Sequence, residues 1–247
     1  MKQVCYNFSG QNFVVSGASS GIGRQVVLDL AAAGAVVLGL ARRSEALEEL
    51  RAMAPENIKT TCCDVCNKGS IETAVGAFVA EHGKVHGCVH AAGNLIATPL
   101  RSYDAVAAHS LMETHFWGGV LLLQCCTRSQ YAVKGTSSVV LSSIDAKVAS
   151  KSLFAYASAK AALATAVKTF AKELAPKGHR VVSVSPGWVA TELTQRLSEF
   201  AGPVKEEVYP LGVGQPEDVA NLILFLLSDN ARWISGTDIV IDGGFLA

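Results

Sequence analysis

Residues 12–41 read NFVVSGASSGIGRQVVLDLAAAGAVVLGLA, and this stretch decides the fold. A short β-rich run at 12–17 ends in glycine, and RQVVLDLAAAG then carries apolar residues at helical spacing until Gly34. AVVLGLA at 35–41 is a second apolar strand. Between the first strand and the helix lies Ser16-Gly17-Ala18-Ser19-Ser20-Gly21-Ile22-Gly23. Glycines there permit a tight turn and close backbone approach, and a helix N-terminus offers free N–H groups to a pyrophosphate. Nucleotide contacts are therefore expected from Ser16, Gly17, Ser19, Ser20, Gly21, Ile22 and Gly23.

The same alternation continues outward. Strands are expected at 57–65, 85–93, 137–143, 180–187 and 238–244. Helices are expected at 44–53, 68–82, 103–131, from 154 to about 176, and at 216–227. Near-continuous apolar strands between amphipathic helices mean a parallel sheet covered on both faces. With right-handed crossovers this is an α/β doubly wound (Rossmann) sheet of seven parallel strands. No repeat or linker divides the chain, so one domain is expected over 1–247, with the irregular stretch 188–213 as a substrate lid.

Half of the 247 residues are apolar, enough for a large core, and 21 acidic residues balance 21 basic ones. That balance argues against nucleic-acid and charged-membrane partners. The start, MKQVCYNFSGQNFVV, has no signal-like apolar region, and LILFLL at 222–227 is far too short to span a bilayer. A soluble, cytoplasmic protein is expected. Seven cysteines then read as free thiols. Cys62, Cys63 and Cys66 form a cluster that is either a redox or metal site or simply small apolar residues near a strand end. No fourth ligand is evident, and His82, His86, His109 and His179 are not grouped with carboxylates, so no metal is expected.

The second strand ends in Ala41, followed by Arg42 and Arg43. A carboxylate at this place would bind a ribose 2′-hydroxyl, whereas a guanidinium accepts a 2′-phosphate. The pair favours NADP(H) over NAD(H); the alternative is that the arginines only begin a solvated helix. Further along, FAYASAK at 154–160 puts Tyr156 and Lys160 one turn apart on one helix face. A lysine charge beside a phenol lowers the phenol pKa and lets it exchange protons near neutral pH.

With these motifs in order, the chain resembles the short-chain dehydrogenase/reductase family over essentially its whole length. The family's T-G-x-x-x-G-x-G turn matches residues 16–23, with Ser16 in place of Thr. Its adenine-contacting Asp-Val pair matches Asp64-Val65, and its N-N/A-A-G element matches His90-Ala91-Ala92-Gly93. Its catalytic serine matches Ser143, thirteen residues before Tyr156, and its Y-x-x-x-K motif matches Tyr156 and Lys160. Its P-G-x-x-x-T element matches Pro186-Gly187-Trp188-Val189-Ala190-Thr191, and WISGTDIVIDGG resembles its usual ending.

The resemblance implies an NADP(H)-dependent oxidoreductase that moves hydride between nicotinamide and a ketone or secondary alcohol. Tyr156 would exchange the proton, Lys160 would tune it and bond the nicotinamide ribose, and Ser143 would stabilise charge on the substrate oxygen. Ser142 is the neighbouring alternative; side chains alternate along a strand, so only one of the two would face the site. Val189 would contact the carboxamide and Thr191 the cofactor. At Thr114-His115-Phe116-Trp117-Gly118 the family usually carries an asparagine where this chain has His115. His115 either relays protons to Lys160, or only fills space, or leaves the relay broken. A 3-oxoacyl-thioester reductase docking an acidic carrier, with Lys168 and Lys172 as candidate contacts, is an alternative; a non-catalytic NADP(H) sensor or scaffold is another. The pocket is expected near 94–100, 144–154 and 188–212, with Trp188, Phe200 and Tyr209 as apolar walls. Association as dimers or tetramers through the long helices flanking strand five is implied as well.

Overall fold

The computed structural model describes residues 5–195 and 206–247. Seven parallel strands form one sheet in the order β3-β2-β1-β4-β5-β6-β7. They are β1 (Asn12–Ser16), β2 (Val36–Ala41), β3 (Ile58–Cys62), β4 (Val85–His90), β5 (Ala132–Leu141), β6 (Arg180–Pro186) and β7 (Asp238–Ile241). The chain winds outward from β1 to β3 and then returns to lay β4 against the other side of β1. That reversal opens a crevice beyond the C-terminal ends of β1 and β4, where ligands of such sheets bind.

Helices cover both faces, which is why the strands are apolar at successive positions. Val15, Val37, Val139 and Val182 join one core with Val26, Leu30, Ile223 and Leu226 from α1 (Gly21–Ala32) and the late helix Pro216–Leu227. Their neighbours Val14, Leu38, Val140 and Val181 join the opposite core with Ile71, Phe78, Leu122 and Leu163. The second core is supplied by α3 (Lys68–His82), α5 (Gly118–Cys126) and α7 (Phe154–Leu174). α2 (Ser44–Met53) and α4 (Ala105–Met112) complete the earlier layers; α6 (Asp145–Val148) is a single turn, and Pro216–Leu227 is α8. Caps fix several starts. Asn67 accepts the Ser70 N–H before α3, Asp104 accepts those of Val106 and Ala107 on α4, and Pro216 opens α8 behind a Gln215–Asp218 capping box. No helix among the described residues is long and apolar enough to cross a membrane.

Four differences from the sequence reading matter. The helix expected over 103–131 is α4, a π-helical turn at Glu113–Trp117, and α5, which stops at Cys126. β5 begins at Ala132 rather than 137, with a register shift and Gly135 at φ +83; that polar, glycine-containing start does not read as a strand. β5 also ends at Leu141, so Ser142 and Ser143 lie past it. α6 is too short to leave a periodic signature.

Candidate active site

The crevice begins at the glycine turn. Gly17 has φ +74, and a Cβ there would lie 2.6 Å from the backbone of Ala91 and Ala92. Only glycine lets the loop after β4 come this close. Ser16 is buried; its Oγ lies 2.9 Å from His90 Nδ1 and accepts the Ala92 N–H at 3.3 Å. Ser16 thus joins the ends of β1 and β4 and does not line the cavity. Ser20 caps α1 without a side-chain hydrogen bond, and the first turn carries no acid. The leading N–H groups of α1 therefore face a cavity of about 350 Å³ without a side-chain acceptor. This cradle suits a pyrophosphate.

Gly17, Ser19, Ser20, Gly21, Ile22 and Gly23 line that cavity, as the turn requires. Arg42, Arg43, Asp64 and Val65 close one end of it, and Ala91, Ala92, Gly93 and Asn94 its centre. Ser143, Tyr156 and Lys160 line it with Pro186, Gly187, Val189 and Thr191. Strand-order logic brings all these loops to one edge of the sheet.

The two arginines differ. Arg43 donates to Ser19 Oγ at 3.2 and 3.3 Å and pairs with Glu192 at 3.0 Å. Both charged groups of that pair are about half exposed, so it contributes little to stability. Glu192 is an acid beside the arginines, delivered by the segment after β6 rather than by β2. Arg42 and Arg43 also border a second hollow of mixed charge, with Arg24 and three acids, Glu45, Glu49 and Glu192. Asp64 accepts the Cys66 N–H at 3.0 Å, which fixes the turn after β3. Cys63 is buried and accepts from Ser70 Oγ at 3.3 Å, and burial pushes its thiol up. No group of three or more metal-ligating side chains occurs among the described residues.

At the other end, Tyr156 and Lys160 are both buried on α7. Lys160 Nζ donates to Leu141 O at 2.6 Å and lies 5.7 Å from the Tyr156 ring centre. Burial pushes the Tyr156 phenol up to about 12, while a hydrogen bond with Ser143 pulls the other way. Burial holds Lys160 down to about 7. The lowering of Tyr156 by Lys160 is therefore not present in this arrangement, because burial dominates both groups and the lysine turns to a carbonyl. Ser142 and Ser143 both reach the cavity, since strand alternation has ended; Ser142 Oγ donates to Lys160 O at 3.0 Å, and Ser143 Oγ accepts the Asp145 N–H at 3.1 Å.

His115 sits in the π-helical turn, a local widening often found at functional sites. It is 1% exposed, and its ring stands edge-on to Tyr156 with centroids 5.2 Å apart. Nε2 lies 2.6 Å from Asn94 O and 3.3 Å from Asn94 N; the shorter contact is to a carbonyl that can only accept, which favours the proton on Nε2. Burial holds the imidazole well below its ordinary pKa, and it is neutral. His115 Nδ1, His90 Nε2 and Asn94 Oδ1 are buried polar atoms without a partner among the described residues. His115 and Asn94 line the cavity, and their two unpartnered atoms fit a polar ligand or water.

A further cavity of about 480 Å³ adjoins, and Ser143 and Tyr156 line both. Its walls include Leu95, Ile144, Leu153, Trp188, Tyr209 and Phe245. Phe200 lies outside the described residues, as does the middle of the expected lid. Asp145 falls in the expected stretch 144–154, whereas Phe245, stacked on Tyr209 at 5.0 Å, was not foreseen. The aromatic residue directly after the final DIVIDGG was the available signal for Phe245.

A family model described as Enoyl-(Acyl carrier protein) reductase matches residues 17–246. The chain is 30% identical over 239 residues to the 3-oxoacyl-(acyl-carrier-protein) reductase of Escherichia coli, across 96% of this chain and 98% of that protein. It is 32% identical over 246 residues to D-erythrulose reductase of Gallus gallus, across 97% of both. Among solved structures, a short-chain type dehydrogenase/reductase from Mycobacterium marinum superposes with a TM-score of 0.91 at 30% identity, covering 98% of this chain and 97% of that one.

Proposed function

This chain belongs to the short-chain dehydrogenase/reductase family, and we propose that it interconverts a ketone and a secondary alcohol with NADP(H), using Ser143, Tyr156 and Lys160. The observation that carries the proposal is that Ser143 and Tyr156 line both the glycine-turn cavity and the apolar cavity beside it. A reacting carbonyl at that junction reaches a cofactor on one side and a substrate wall on the other.

The glycine turn would hold the pyrophosphate, Arg42 the 2′-phosphate, and Asp64 and Val65 the adenine. Ala91 to Gly93 and Pro186 to Thr191 would hold the rest. The nicotinamide supplies or takes up hydride when bound. In reduction the Tyr156 hydroxyl gives its proton to the substrate oxygen; at about 12 the phenol is fully protonated at neutral pH. Ser143 Oγ takes the Asp145 N–H on a lone pair, and its own hydrogen, which here bonds the Tyr156 hydroxyl, would turn to that oxygen. Lys160, held near 7 and turned to Leu141 O, would lower the phenol pKa and ease oxidation only once protonated and turned from that carbonyl toward Tyr156. His115 is a positioning residue: its edge contact and its bond to Asn94 O hold Tyr156 and the loop after β4.

The E. coli relative's name favours a 3-oxoacyl-thioester as a second substrate reading. Lys168 and Lys172 do not support carrier docking, because they lie twelve and sixteen positions along α7 from Tyr156, roughly 18 and 24 Å away. Exposed Tyr103 and Phe154, with rings 5.8 Å apart beside α4 and α7, support pairing of copies through that face.

Tyr156→Phe tests the proposal. It should lower kcat by roughly a hundredfold or more with NADPH affinity nearly unchanged. Wild-type turnover in the variant would remove Tyr156 from the chemistry and leave the non-catalytic alternative.

A further inference from the structure

We propose that Asp145 sets the charge of the substrate: the apolar cavity takes a neutral ketone and turns away carbonyl compounds carrying a carboxylate or phosphate. The proposal rests on the ketone and alcohol reading above. Asp145 is the first residue of α6, two positions after Ser143, and its own N–H is bonded to Ser143 Oγ. It is half-buried and lines the cavity among Leu95, Ile144, Leu153, Trp188 and Phe245. Its Oδ1 accepts the Ser150 N–H at 3.3 Å.

Among the described residues it has no ion-pair partner. Lys147, two positions on, is engaged by Asp238 at 2.7 Å. Lys151 also lines the cavity but is exposed, so solvent and salt screen its charge. The loop that carries Ser150 holds two non-glycine residues in the left-handed region, Ala149 at φ 51 and Ser152 at φ 66. Ser152 O accepts the Thr98 N–H at 2.6 Å, which clips this loop to the opposite wall. Strained backbone of this kind clusters at binding sites. The charge of Asp145 also pushes up the hydroxyls of both Tyr156 and Tyr209, so it acts across the cavity. A second anion brought between apolar walls beside it is repelled, whereas a neutral group is not.

The test compares ethyl 5-oxohexanoate with 5-oxohexanoate on the wild type and on Asp145→Asn, in the presence of NADPH. Binding is read by tryptophan fluorescence, to which Trp188 in the wall contributes, and turnover by kcat/KM. The wild type should favour the ester by about tenfold or more, and Asp145→Asn should narrow that ratio severalfold. Raising the salt concentration should narrow the wild-type ratio too, which needs no variant. Equal handling of ester and acid by the wild type, a ratio unmoved in Asp145→Asn, or no binding of either compound would overturn the proposal. Selective binding of the ester without turnover would uphold the charge selection and sink the ketone-reduction reading instead.

Discussion

Lys160 offers a prediction whose sign and size both follow from its surroundings. Its ammonium group is buried against Leu141 O and is held near 7, far below the ordinary lysine value of 10.5. Between about pH 7 and 10.5 the unfolded chain carries a proton on this lysine and the folded chain does not. The unfolded state binds more protons there, so raising the pH favours the folded state. Below about pH 7 both states are charged and the dependence ends. One proton corresponds to about 1.4 kcal/mol per pH unit, so from pH 7.5 to 9.5 the gain is about 2.5 kcal/mol. Tyr156, pushed up to about 12, opposes this only above pH 10, outside the window. Urea denaturation of the cofactor-free protein at pH 7.5, 8.5 and 9.5 gives the slope, and Lys160→Met removes it. The difference between the two proteins isolates this residue, because the thiols and other groups titrate in both. Parallel stability curves would refute the reasoning and mean that Lys160 stays charged when buried.

Two further outcomes are expected. Arg42→Ala should weaken NADPH binding about ten- to a hundredfold, as loss of a charge-assisted bond does, and NADH binding by much less; equal losses in a titration of both cofactors would count against a 2′-phosphate contact. His115→Phe keeps an aromatic edge against Tyr156 but strips Asn94 O of its donor, so stability should fall by about 1–3 kcal/mol while the shape of the pH–rate profile stays the same. Disappearance of an ionisation from that profile would make the imidazole a titrating relay.

Much of the fold was legible because local rules and long-range contacts agree. The run 12–41 carries strand, turn, helix and strand signals in sequence, and the cores on the two faces take alternate residues of the same strands, as Val14 and Val15 do. The meeting of the glycine turn, Arg42, Asp64 and the loop after β4 on one cavity was equally legible, since each strand delivers its following loop to the same edge. What stayed hidden depends on partners distant in sequence. Glu192 reaches Arg43 from 149 positions away, and Phe245 meets Tyr209 across the end of the chain. Ser143 shows how a residue that lines the cavity can be chosen for an incomplete reason. Alternation along a strand was to separate it from Ser142, but β5 has already ended at Leu141 and both hydroxyls reach the cavity. What separates them is hydrogen bonding: Ser142 gives its hydrogen to the Lys160 carbonyl, whereas Ser143 accepts a backbone N–H and shares a hydrogen bond with the Tyr156 hydroxyl. The same accounting applies to the nucleotide turn and the Tyr156 helix. Periodicity brings the groups to one place, and the remaining unsatisfied donors and acceptors decide which of them can act.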